Sequence, residues 1–321
     1  MNQPPATAVI VTHNSAGEIA RAVRPLHRAG LAVRVVDNAS DDNTVALLRR
    51  DFPTVELIEN KSNVGFARAV NQGLSGVTSD IVLLVNPDCV VPDGTSRELI
   101  HYLRQRPEVG IAGPRLVDGT GRVAISAHPF ESLTSVLASR FGGSLIPVPV
   151  RRMLGGRRRR RAYDACRRPS EPVSVDWLSG ACLAVRTSVL RGIGGLDEGY
   201  FLYYEDEELC LQAWRRGARV VYLPGVQATH VGGASSADPS WIWPHLYRSM
   251  LLFFARHRRS SFTAVRTAVL LRALLGIGLG GIRLTVAPRA GAARIRAWSG
   301  VTRIALTATP EHLERQPRCT S

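Results

Sequence analysis

Lysine is almost missing from this chain. Of 41 basic residues, 40 are arginine and one, Lys61, is lysine. So complete an exchange follows the codon usage of a GC-rich genome, and arginine as such carries little functional weight. Cysteine is sparse: Cys89, Cys166, Cys182, Cys210 and Cys319 are odd in number and contain no CxxC pair, so no zinc or disulfide framework is implied. The opening Met-Asn-Gln-Pro-Pro has neither the basic nor the apolar region of a secretory signal, and the expected compartment is the reducing cytoplasm. Long apolar runs are lacking too. The longest uncharged stretch near the C-terminus, 273–282, has ten residues and four glycines. A spanning helix needs about 20 apolar residues, so an interfacial or packed helix pair is expected there. Aromatics make up only 6% of the chain.

What is present suffices for a real core. The 321 residues are 45% hydrophobic and 21% charged, enough for one large domain or two modest ones and too apolar for wholesale disorder. The formal charge of +15 is unevenly spread. Residues 1–150 are neutral, 151–170 carry +8, 171–239 carry −4 and 240–321 carry +11. An acidic patch between two basic blocks does not describe a nucleic-acid-coating protein. RNA recognition also wants interleaved aromatics, and the 151–168 arginine tract offers only Tyr163.

Short apolar runs alternate with helical patterns through the first third. Strands are expected at 8–12, 33–36, 55–59 and 81–85. Helices are expected from Ile19 to near Gly30, at 44–52 and at 67–74. That alternation predicts an α/β fold whose central sheet is mostly parallel. Further along, 126–150 is poor in charge, 142–170 reads as a mobile arginine-rich loop, and an apolar strand is expected within 173–185. A helix is expected at 205–214, acidic at its start and basic after its end, then strands at 220–223 and 228–231. The expected division is a catalytic domain over 1–239 and a helical, membrane-associating extension over 240–321 with a disordered tail.

Polar residues follow three of the strands: Thr12-His13-Asn14, Asp37-Asn38-Ala39-Ser40 and Asn86-Pro87-Asp88. In open α/β sheets the ligand crevice lies at the carboxyl ends of the strands, so three such clusters point to one site. Asp88 is a candidate ligand for Mg²⁺ or Mn²⁺, although an Asp after Pro also caps turns. Asp37 can accept hydrogen bonds from a base or ribose, or close an Asx turn. In Glu205-Asp206-Glu207-Glu208, acids suit a helix start on electrostatic grounds alone. Their neighbours Phe201 to Tyr204 suggest that one is carried into a pocket, where burial raises a pKa toward general-base work. His230 is a candidate metal ligand or phosphate contact, or a structural histidine.

Taken in order, these segments resemble a known family. Val9-Ile10-Val11-Thr12-His13-Asn14, Val35-Val36-Asp37-Asn38-Ala39-Ser40-Asp41-Asp42, Asn63-Val64-Gly65-Phe66-Ala67-Arg68-Ala69-Val70-Asn71 and Leu84-Val85-Asn86-Pro87-Asp88 come first. Trp177-Leu178-Ser179-Gly180-Ala181, Gly194-Gly195-Leu196-Asp197-Glu198, Tyr203-Tyr204-Glu205-Asp206-Glu207-Glu208-Leu209 and His230 complete the series. Over about residues 6–235 the chain is similar to family 2 inverting glycosyltransferases of the GT-A fold, in the rhamnosyltransferase-like branch. The resemblance implies that Asp37, Asn38, Thr12 and Asn14 hold the nucleotide, with Arg68 and Asn71 on the helix facing it. It implies that Asp88 and His230 bind Mg²⁺ or Mn²⁺, and that Asp206 is the catalytic base, with Glu205 the alternative. Asn86 stands where the family carries the first acid of its metal-binding element. With Trp177, Ser179 and Gly180 it would line the sugar or acceptor pocket.

The function so implied is transfer of a sugar, L-rhamnose from dTDP-L-rhamnose above others, to a polyprenyl-diphosphate-linked saccharide in cell-wall or surface-polysaccharide synthesis. Galactofuranose and N-acetylglucosamine are the alternative sugars. A basic RNA-binding protein and a catalytically dead binding module are the rival classes; the retained Asp88, Asp206 and His230 speak against the second. The expected partners are the nucleotide sugar, the lipid-linked acceptor and an anionic membrane surface, with no nucleic acid. The expected location is peripheral, on the inner face of the plasma membrane.

Overall fold

A computed structural model of the chain describes residues 5–140, 166, 171–232 and 239–315. Most of the loop expected at 142–170 and the tail from 316 lie outside the described residues. Two compact units are formed, one by 1–130, 161–197 and 205–235, the other by 131–160, 198–204 and 236–321.

The first unit is built on a twisted mixed sheet. Strands β1 (Thr7–Thr12), β2 (Ala32–Asp37), β3 (Glu56–Glu59) and β4 (Ile81–Val85) alternate with helices α1 (Ile19–Arg28), α2 (Thr44–Asp51) and α3 (Phe66–Leu74). They pair in parallel in the order β3-β2-β1-β4. Parallel pairing needs a crossover after each strand, and these helices supply it. The sheet continues through three further strands. They are β5 (Cys89–Val90), β6 (Val109–Val117) after helix α4 (Asp93–Gln105), and the two-residue β7 (Val123–Ala124). Beyond them β11 (Cys182–Arg186) runs antiparallel between β4 and β6, and β12 (Arg219–His230) runs parallel to β6. The order is therefore β3-β2-β1-β4-β11-β6-β12-β5, a mostly parallel α/β core as the alternation predicts.

Strands buried on both faces read as continuous apolar runs. In β1, Ala8 and Ile10 enter one core while Val9 and Val11 enter the other. The expected strands at 220–223 and 228–231 are one 12-residue strand, β12, whose register against β6 shifts between Leu223 and Gln227. Pro224 and Gly225 cannot hold regular pairing there, which is why the sequence reads as two pieces. The 173–185 segment is divided into β9 (Val173–Ser174), β10 (Trp177–Leu178) and β11; β10 pairs with β8 (Ala127–His128). Helix α6 (Thr187–Ile193) follows, and α7 (Glu205–Arg215) carries the acidic run, packing Leu209, Cys210 and Ala213 into the same core as α3.

The second unit is helical: α5 (Leu133–Arg140), α8 (Pro239–His257), α9 (Arg259–Leu284), α10 (Pro288–Thr307) and α11 (Pro310–Arg315). By length and composition α9 suffices to cross a membrane. Its arginines at 266 and 272 interrupt the apolar pattern, and the sequence reading of a shorter apolar run rests on them. The 198–204 segment packs on α8 through Phe201, which stacks on His245 at 4.5 Å, and through Ser249, whose hydroxyl donates to the Leu202 carbonyl at 2.9 Å.

Candidate functional site

Parallel pairing brings the polar ends of three strands together. Thr12 and Asp37 are register partners at the carboxyl ends of β1 and β2, and β4 lies against the other side of β1. The two loops beyond Thr12 and Asp37 are tied to each other. Asn14 and Ala39 take left-handed backbone conformations, at φ 52° and 60°. The Asn14 N–H donates to the Ser40 hydroxyl at 2.8 Å, and its side-chain oxygen accepts from the Asp41 N–H at 2.8 Å. Asp37 is 2% exposed and accepts from the Ser40 N–H and hydroxyl, at 2.9 and 2.6 Å. The Asx-type turn is thus present, and each carboxylate oxygen keeps a lone pair for another donor. Thr12 has a buried hydroxyl without a hydrogen-bond partner among the described residues.

Two residues expected to face the nucleotide have other partners. The Asn38 side chain donates to the Gly65 carbonyl at 3.1 Å and accepts from Asn60 at 2.9 Å, which links the β2 loop to the start of α3. Asn71 makes a two-way bond with Leu196, donating at 2.9 Å to its carbonyl and accepting at 2.8 Å from its N–H. Gly195, at φ +86°, leaves room for this contact, since a Cβ there would lie 2.5 Å from the Asn71 oxygen. Arg68 is half-buried on α3 and makes no hydrogen bond or ion pair among the described residues.

A second group forms beyond β4. Asp88 is 7% exposed, and its Oδ1 lies 3.2 Å from Nε2 of His230. The short β5–β12 pairing makes this contact, with Cys89 opposite His230. Among the described residues no cluster of three or more His, Cys, Asp or Glu gathers. Two ligands fit a divalent cation that takes its remaining oxygens from a diphosphate and water, the usual arrangement for such ions at phosphate sites. Asn86 donates its backbone N–H to the Ala181 carbonyl at 3.0 Å. Next along, the Gly180 N–H donates to Asp206 Oδ2 at 3.0 Å. The strand-end group and the acidic helix therefore meet through residues 180 and 181.

The carboxylates of α7 are not a solvated helix start. Glu205, Glu207 and Glu208 are buried, and Asp206 is half-buried. Asp206 accepts two backbone N–H bonds, from Gly180 and, at 2.9 Å, from Glu207. Burial pushes its pKa up while those N–H groups oppose the rise. Glu205 has less support: only its own backbone N–H opposes the rise, and its Oε2 is buried without a partner among the described residues. Burial first, and the Asp206 charge second, hold its carboxyl well above the usual range. Burial thus raises both carboxyls, and Asp206 has the larger set of backbone N–H groups favouring its charged form.

Beside this pair, Trp177 is half-buried, donates its indole N–H to the Pro129 carbonyl at 3.0 Å and stacks on His128 at 4.4 Å. The Ser179 N–H donates to the Ser126 carbonyl at 2.8 Å. Sequence reasoning missed His128 and Ser126. They stand 49 residues before Trp177 and 53 before Ser179 and reach them through the two-residue β8–β10 pairing, for which two-residue strands leave no periodic signal.

Comparison with known proteins adds to this geometry. Residues 7–161 match the glycosyl transferase family 2 profile. The chain is 29% identical to the N-acetylglucosaminyl-diphospho-decaprenol L-rhamnosyltransferase of Mycobacterium tuberculosis over 265 residues, covering 78% of this chain and 84% of that one. It is 43% identical over 87 residues to rhamnosyltransferase WbbL of Escherichia coli, covering 26% and 32%. Among solved structures, the mannosyltransferase PcManGT of Pyrobaculum calidifontis, in complex with GDP-Man and Mn2+, superimposes with a TM-score of 0.54 at 17% identity, covering 95% of this chain and 88% of that one. The fold is of the GT-A type.

Proposed function

Because the chain belongs to glycosyl transferase family 2, as a glycosyltransferase of its rhamnosyltransferase-like branch, we propose that it transfers L-rhamnose from dTDP-L-rhamnose to a polyprenyl-diphosphate-linked saccharide. The relative that supports this acceptor class acts, by its name, on N-acetylglucosaminyl-diphospho-decaprenol. The structural observation that carries the reading is the Glu205–Asp206 carboxyl pair, in which Asp206 accepts the N–H groups of Gly180 and Glu207.

In this reading Asp37, Thr12 and Asn14 hold the nucleoside, with Arg68 toward the diphosphate. Asp88 and His230 would hold Mg²⁺ or Mn²⁺, which when bound neutralises charge on a diphosphate leaving group. Trp177, backed by His128, offers a flat face for a sugar ring, and Asn86, Ser179 and Gly180 line the same side. The acceptor hydroxyl gives its proton to Asp206 as its oxygen attacks the anomeric carbon from the face opposite the diphosphate. The bond from that carbon to the diphosphate oxygen breaks, and its electron pair leaves with the nucleotide. A single displacement inverts the anomeric configuration. A positioned base contributes about 10²–10⁴-fold. The site of action in this reading is the inner face of the plasma membrane, where anionic lipids attract the arginine-rich C-terminal region, in the synthesis of a bacterial cell wall or surface polysaccharide.

A nucleotide-sugar panel with either metal tests the donor. Binding and slow hydrolysis are expected for dTDP-L-rhamnose in preference to UDP-galactofuranose and UDP-N-acetylglucosamine. Preference for either UDP sugar replaces the donor, and binding of none of the three overturns the transferase reading.

A further inference from the structure

The outward face of α9 is apolar over its C-terminal half, from Leu271 to Ile282, and its opposite face is already used. Phe262, Val265, Val269, Ala273, Gly276 and Gly280 are buried within the helical unit. The contact with α10 is close: a Cβ on Gly276 would lie 2.2 Å from the Trp298 indole nitrogen, and one on Gly280 would lie 2.8 Å from Ile295. These approaches fix the rotation of α9 about its own axis. Leu271, Leu275, Leu279 and Ile282 then point away from the bundle, 54%, 62%, 61% and 69% exposed. Their spacing of four, four and three residues sets them in one line along the helix. At 1.5 Å per residue the line is about 17 Å long, and Leu274, half exposed, widens it. A line of leucines this exposed marks an interaction surface.

No charge interrupts that line. Arg266 donates to the Ala308 carbonyl and Arg272 lies over the Trp298 ring, so both interior arginines are turned into the bundle. The charges that reach solvent from α8 to α11 are overwhelmingly positive. Arg258, Arg283, Arg289, Arg296 and Arg303 are exposed, while the only acids from 240 to the end of the chain are Glu311 and Glu314. A partner must therefore offer apolar depth and negative charge together. A second copy of this chain would set one arginine block against another. An anionic bilayer offers both.

We infer that the Leu271–Leu275–Leu279–Ile282 line is a lipid-docking surface, with α9 lying flat in the headgroup region of an anionic membrane. The arginines then sit at headgroup depth. The helix does not cross the bilayer, because crossing would strip its glycine face from Trp298 and Ile295. This inference deepens the membrane part of the proposed function and is independent of the donor sugar.

The test is co-sedimentation of the full chain with vesicles of phosphatidylglycerol and phosphatidylcholine, comparing wild type, L275E/L279E and the control S299E/T307E. The control makes the same charge change at exposed positions of α10. L275E/L279E is expected to lower vesicle partitioning at least about tenfold, and the control less than about threefold. Equal binding by L275E/L279E and wild type overturns the inference, as does an equal loss in the control. It is also overturned if lipid-free wild type is a dimer that L275E/L279E dissociates. Should the double glutamate variant fold poorly, Leu279→Trp keeps the face apolar: a blue-shifted emission component absent from wild type is expected on adding vesicles, and its absence overturns the inference. Binding of dTDP-L-rhamnose separates the two readings. L275E/L279E should bind it as wild type does; if neither protein binds it, the transfer reading fails while the lipid result stands.

Discussion

Glu205 and Asp206 are adjacent in the chain, and burial raises the pKa of both. Asp206 accepts the N–H groups of Gly180 and Glu207, whereas Glu205 Oε2 has no partner among the described residues. This difference has a consequence for stability. A folded-state pKa above the unfolded value means that the folded state binds the proton more tightly, so Glu205 weakens the fold as pH rises from the usual glutamate range through its raised value. Glu205→Gln should remove that dependence. The difference in melting temperature between variant and wild type is expected to be smallest in acid and to grow in the variant's favour as pH rises. At the other end of the site, Asp88→Ala leaves His230 without its carboxylate neighbour. It should weaken metal-dependent donor binding at least about tenfold, measured by titration with and without Mn²⁺. His230→Ala should lose less, since a carboxylate is the harder ligand for these ions.

Elements carry the site by contacts that differ greatly in how far they are legible from sequence. The parallel strands, each a short apolar run with a polar residue at or just beyond its carboxyl end, announce their pairing. That Thr12 and Asp37 end paired strands and that Asp88 follows β4 was readable for that reason. The acidic run was readable as a helix start, but not as three buried carboxylates, because burial of α7 depends on the distant core it joins. Asn71 is the instructive case: the resemblance implies that it lies on the helix facing the nucleotide, and the fold adds that its side chain holds the Gly195–Leu196 turn. Gly195→Ala would put a Cβ into that turn at a positive φ and against the Asn71 oxygen. A loss of roughly 1–3 kcal/mol is expected in denaturant unfolding. His128 and Ser126 were illegible because two-residue strands have no period to detect.

At the scale of the whole molecule, the charge of +15 separates into regions with different work. The strand-end half is neutral, the segment with the carboxylates is acidic, and the C-terminal helices are basic. Attraction of exposed arginines to anionic lipid is screened over about 8 Å at physiological ionic strength, whereas burial of leucines is not. Vesicle partitioning should therefore fall by about tenfold or more between 50 and 500 mM salt and then level off in wild type, while L275E/L279E loses the residual plateau. The central claim remains a chemical one, that Asp206 takes the proton as an acceptor oxygen displaces a nucleotide diphosphate with inversion. Its most direct test is rhamnosyl transfer to a polyprenyl-diphosphate N-acetylglucosamine by wild type and by Asp206→Asn, with dTDP-L-rhamnose binding measured alongside. The account predicts an inverted rhamnosyl product from wild type, at least about a hundredfold less from the variant, and donor binding within about threefold. Turnover by Asp206→Asn within a few-fold of wild type would contradict it.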